Sequence, residues 1–185
     1  MTTKSNVESG LDLILLLLYA KGTTGTFKEE VSDTTRLIKL LYLLVKEGGF
    51  SKLKKDLHFE PKDFGPWSGD VFDALEALKE LKLIETQKLP PDSFEEIADY
   101  VEWIEETPTH TIMNDEKAKN TYFLTKRGEK VANVLYEKIP ASEKAKIEHI
   151  KGQFNKMELN KLLRYVYTKY PEDTIKSKIK KRILK

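Results

Sequence analysis

Cysteine is absent from this chain, which excludes disulfides, thiolate metal sites and thiol nucleophiles together. A reducing interior is the economical setting for such a sequence, and a cytoplasmic location is expected. Histidine is nearly as scarce. His58, His110 and His149 lie far apart, without the His-x-x-x-His spacing that brings two imidazoles onto one helix face. A Gly-rich phosphate loop and a Gly-x-Ser-x-Gly elbow are missing too. Carboxylates are plentiful, but a run of them is normally a solvated face, whereas catalysis needs a few buried acids with shifted pKa values. No catalytic residue, metal ligand or cofactor is therefore assigned, and the chain reads as non-enzymatic.

Long apolar runs are also missing. The longest, residues 13–20, is about half of what a bilayer crossing requires. Glu8 and Asp12 precede it, where an export signal carries positive charge, and no Ala-x-Ala site follows. The run reads as a buried first helix, and no membrane partner is expected.

What is present is charge, and it is unevenly spread. The net value is only +2, yet residues 1–125 hold 15 Lys and Arg against 23 Asp and Glu, while residues 126–185 hold 17 against 7. An acidic body and a basic end can face different partners, or clamp onto each other.

Periodicity and punctuation give the elements. A first helix spans residues 11–20 and stops at Lys21-Gly22. Ser32 or Asp33 caps a second, running to about Glu47 before Gly48-Gly49. Its apolar positions Leu37, Ile38, Leu40, Leu41, Leu44 and Val45 leave a narrow polar strip of Arg36, Lys39 and Lys46, so it belongs in the core. A strand is expected over residues 57–62 and a turn over Phe64-Gly65-Pro66-Trp67, with Phe64 and Trp67 pinning it to the core. Ser68 then caps a third helix reaching about Lys82, with Asp70 in its first turn. Its Val71, Phe72, Leu75, Leu78 and Leu81 recur at helical spacing.

Residues 83–89 and 121–125 read as facing strands. The excursion between them holds seven acids and no Lys or Arg over residues 92–106. Ile97, Val101 and Ile104 there sit near helical spacing, so a short acidic helix is expected. Thr125 caps the next helix, residues 126–139, and others follow over 142–154, 158–170 and 174–184. Tyr165 and Tyr167 cannot share a helix face.

Helix, helix, strand, helix and hairpin is the winged-helix order, a helix-turn-helix variant. The expected fold is mainly α with a small β-sheet (α+β). A winged helix-turn-helix domain occupies residues 1–135, with an acidic insertion at about 90–119 between the wing strands. A basic helical extension follows over 136–185. The stretches TTRLIKLLYLL (34–44), FEPKDFGPWSGDVFDALEAL (59–78), LKLIE (81–85) and TYFLTKRGEKVA (121–132) resemble the YwgA-like group of small prokaryotic proteins. The Gly-Pro element and the Lys-Leu-Leu-Tyr-Leu element are similar, more distantly, to the phage-associated Panacea group. That resemblance implies antitoxin and adaptor proteins. The likeness covers about residues 11–135 and continues loosely into 162–179.

Two functions follow as expectations. The first is a transcriptional regulator that binds double-stranded DNA through Arg36, Lys39, Lys126, Arg127, Lys130, Lys178, Lys180, Lys181 and Arg182. Against it, the third helix turns Asp73, Glu76 and Glu80 outward, where groove reading needs Arg, Lys, Asn or Gln. The second is an antitoxin-like or adaptor module in which those three carboxylates bind a basic protein. A homodimer through the C-terminal helices is compatible with either.

Overall fold

The computed structural model describes residues 7–88 and 120–185. The expected acidic helix of the 90–119 insertion lies outside the described residues. Within them the fold is mixed α+β, with two small antiparallel sheets among the helices.

Helix α1 (Gly10–Tyr19) starts at a reciprocal capping box. The Asp12 amide donates to Ser9 Oγ (3.2 Å), and Asp12 Oδ2 accepts from the Ser9 amide (3.0 Å). Every residue from Leu13 to Leu18 is buried, so α1 is enclosed rather than half-immersed. Helix α2 (Thr34–Lys46) is capped by Asp33, whose Oδ1 accepts from the Thr35 amide (2.7 Å). All nine residues from Leu37 to Val45 are buried, and α2 is the central post of the core.

A short strand β1 (Val31–Ser32) between these helices pairs with β5 (Asn120–Leu124). On its other side β5 pairs with β4 (Ile84–Lys88), giving the order β1-β5-β4. A separate hairpin joins β2 (Glu60–Lys62) to β3 (Gly65–Trp67). Here the sequence expectation needs correction. The strand placed at 57–62 begins only at Glu60, and most of the supposed turn is its partner strand, with Lys62 opposite Gly65. Two prolines face each other in this pair, Pro61 and Pro66, and neither donates to a ladder, so no alternating pattern announces the hairpin. Gly65 is required by space as well as by its φ of +80°. A Cβ there would stand 2.8 Å from Cε1 of the buried Tyr167.

Helix α3 (Gly69–Glu80) is capped by Ser68, whose Oγ accepts from the Val71 amide (3.3 Å). It ends earlier than the apolar spacing suggests. The Leu83 amide donates to Leu78 O (2.9 Å) and the Lys82 amide to Lys79 O (2.8 Å), the paired bonds of a Schellman terminus. Lys82 occupies the left-handed position, at φ 54°. Leu81, which continues the apolar spacing, is 48% exposed.

Helices α4 (Lys126–Lys138), α5 (Ala141–Phe154) and α6 (Leu159–Lys169) complete the enclosure. Ile147, Ile150, Phe154, Leu162, Leu163, Val166 and Tyr167 join the same buried cluster as α1 and α2. Tyr165 and Tyr167 do take different faces: Tyr167 is fully buried, while Tyr165 stacks on Phe154 with ring centroids 4.8 Å apart. The single helix expected over 174–184 is replaced by a 3-10 turn (Pro171–Thr174) and a four-residue helix, α7 (Lys180–Ile183). Long-range bonds break it. Ser177 Oγ and the Lys178 amide both donate to Asp63 O (3.0 Å each), diverting that backbone to the β2–β3 turn.

A lysine at a left-handed helix terminus costs about 1 kcal/mol relative to glycine. Lys82→Gly is expected to stabilise the protein by about that amount, read as a rise in the urea midpoint at unchanged m-value.

Candidate functional site

The cations assigned to a nucleic-acid surface are not brought together. Lys39 is only 2% exposed, and its Nζ donates to Pro66 O (2.7 Å), fastening α2 to β3. The Arg36 guanidinium donates to Phe154 O (2.9 Å) and Met157 O (2.6 Å), tying α2 to the end of α5. Lys46 pairs with Asp173 (2.6 Å) and lies over the rings of Tyr42 and Tyr170. The polar strip of α2 is therefore spent on internal joints. Lys178 pairs with Asp63 (2.9 Å), and Lys180 Nζ donates to Pro171 O (3.2 Å). Lys181 and Arg182 are exposed beside them. Lys126, Arg127 and Lys130 form a separate exposed group on α4.

Helix α3 has the opposite character. Val71, Ala74, Leu75 and Leu78 face the core, which leaves Asp70, Asp73, Glu76 and Glu80 on the exposed side. Asp70 accepts the His58 amide (2.9 Å), and Glu76 pairs with Lys79 on its own helix (2.7 Å). A carboxylate stripe is thus the chemistry this helix shows outward, and half-exposed Leu81 terminates it.

No family model, curated protein or solved structure matches the chain. Its function rests on its own geometry. Among the described residues, no three His, Asp or Glu are grouped to hold a metal ion, and no helix is long and apolar enough to cross a membrane.

Other buried polar residues are joints too. Lys151 is fully buried, and its Nζ donates to Leu18 O (3.0 Å) and Ala20 O (2.9 Å), satisfying carbonyls at the end of α1. Spacing held a signal for it, because Ile147, Ile150, Lys151 and Phe154 fall on one helical face. Nearby, Glu29 accepts from the Thr23 amide (3.2 Å), the Thr24 amide (2.8 Å), Thr24 Oγ1 and Asn155 Nδ2. Burial alone would raise its pKa, but these donors outweigh it and hold the carboxyl down at about 2. Glu47 gathers Tyr165 (3.0 Å), Tyr170 (2.8 Å) and Lys169 (2.8 Å), linking the end of α2 to α6.

Desolvation pushes the ammonium of Lys39 down to about 7, although Asp33 favours its charged form. It does the same to Lys151, against the pull of Glu29 and Glu30. Because these folded values lie below the ordinary 10.5, the unfolded chain binds more protons between about 7 and 10.5. Stability from this source rises with pH across that window, and the burial penalty is greatest at and below pH 7. Lys39→Met keeps the bulk without the charge. Its melting temperature relative to wild type is expected to be most favourable near neutral pH and to decline towards pH 10, followed by thermal melts in a buffer series.

Proposed function

We propose that the chain is a non-enzymatic protein-interaction module on a winged-helix frame, in which α3 presents its acidic face to a basic protein. The frame is supported by strand order. A short strand between α1 and α2 pairs with the second strand of the hairpin that follows α3, the connectivity expected of a winged helix. Residues 47–68, with their own 3-10 turn and β2–β3 hairpin, replace the tight turn of a simple helix-turn-helix.

The observation that carries the reading is the exposure of Asp73, Glu76 and Glu80 on the helix that such a frame offers to nucleic acid. Carboxylates facing phosphates are repelled. Ser68, Gly69 and Asp70 at the helix N-terminus lack the long donors that read base edges. The same stripe complements a cationic protein surface, and a rim of charge sets partner choice and association rate. A basic toxin or nucleic-acid enzyme has the required chemistry, in keeping with an antitoxin-like or adaptor role. In a pull-down from the source cells, wild-type chain should retain a basic protein. The E76K/E80K variant should lose it by at least about 100-fold in affinity at an unchanged melting temperature. Equal capture by both chains contradicts the proposal.

The exposed Lys126, Arg127 and Lys130 favour a second reading, DNA bound from α4 rather than α3. Such phosphate contacts are sequence-independent and salt-sensitive. K130E should then reduce the steepness of the salt dependence by about one phosphate contact. Absence of duplex binding at low salt ends this reading.

A further inference from the structure

The outer face of α4 combines cations with apolar groups. Val131 and Val134 are 37% and 51% exposed, one helical turn apart. Arg127 and Lys130 stand one turn before them and are exposed as well. No ion pair among the described residues engages either cation. Isolated surface valines need no explanation, but here two adjacent ones lie one turn after Arg127 and Lys130, giving α4 an outer face both apolar and cationic.

Helix α3 carries the complementary layout. Asp73, Ala77 and Leu81 succeed one another at four-residue spacing, with Glu76 and Glu80 alongside. The two helices adjoin at a corner. The Thr125 amide donates to Leu83 O (3.1 Å) and Thr125 Oγ1 to Lys82 O (2.7 Å), so α4 begins where α3 has just ended. The junction is tight enough that a Cβ on Gly128 would stand 1.8 Å from Leu83 O. Among the described residues no salt bridge runs from α3 to α4, so neither ridge satisfies the other within one chain.

We infer that α3 of one copy docks against α4 of a second copy, and reciprocally, forming a two-fold dimer that covers Leu81, Val131 and Val134 and pairs Glu76 and Glu80 with Arg127 and Lys130. This rests on α3 being a docking face: a second copy occupies it in the isolated protein, and a basic partner competes for the same acids. A second copy is singled out because each chain brings one acidic and one basic apolar ridge, so a two-fold arrangement satisfies both at once.

The test is sedimentation of E76K/E80K, of R127E/K130E and of their mixture, alongside wild type at low and high salt. Wild type is expected to be a dimer that weakens as salt rises. Each variant alone faces like charge with like, and its dimer affinity should fall by at least about 100-fold. Mixing the two restores opposite charge at both contacts, and a one-to-one heterodimer should form. That recovery also rules out misfolding as the cause of either loss. A monomeric wild type at every concentration, a variant that still self-associates, or a mixture that stays monomeric overturns the inference. R127E/K130E retains the α3 acids, so its capture of a foreign basic protein reports on the proposed function separately.

Discussion

Two helices buried along almost their whole length set the terms for this molecule. Burying α1 and α2 stabilises the fold by roughly 25 cal/mol per Å² of apolar surface removed from water, but only if neighbours close around them in all directions. Neither end of the chain does this alone, so α3 and the sheet cover part of the pair, and α4, α5 and α6 cover the rest. Enclosure then creates a second demand. Carbonyls at the ends of buried helices lose water, and each left unpaired costs about 1–3 kcal/mol. Lys151 answers for the end of α1, Arg36 for the end of α5, and Lys39 for the β3 strand.

That solution decides what chemistry is left for the surface. The cations of α2 are drawn inward or paired across the interface with the C-terminal helices. Lys46 meets Asp173, Lys169 meets Glu47, Lys156 meets Glu30 and Lys178 meets Asp63. The imbalance between the acidic first part and the basic last part is thus partly an internal clamp. These exposed or half-exposed pairs contribute little energy individually, and their effect is to fix which faces meet. Among the described residues, acid on α3 and base on α4 stay exposed on helices that adjoin at the Leu83–Thr125 corner.

Much of this was legible before any coordinates. Caps at Asp33, Ser68 and Thr125 and breaks at Gly48-Gly49 and Pro140 place four helices within a residue or two, because capping is local chemistry. The outward carboxylates of α3 followed from periodicity alone. Lys39 looks like a surface cation by residue type, but register buries it: it sits between Ile38 and Leu40 in a helix with no face to spare. Leu81 repeats the apolar spacing, yet the Schellman bonds end α3 before it can turn inward. The broken C-terminal helix had no local signal at all, since Asp63 lies far away in sequence. The β2–β3 hairpin was hidden by its facing prolines. Lys151 was readable from the Ile147, Ile150 and Phe154 register, and the type of residue again concealed it.

The central claim is that α2 and α5 turn cations inward as fasteners while Lys126 at the start of α4 stays in solvent. Amine acylation of the native protein, read residue by residue by mass spectrometry, measures this directly. Lys39 and Lys151 should stay unmodified until the chain unfolds, while Lys126 reacts from the first time points. Modification of Lys39 or Lys151 as fast as Lys126 in the folded protein contradicts the account.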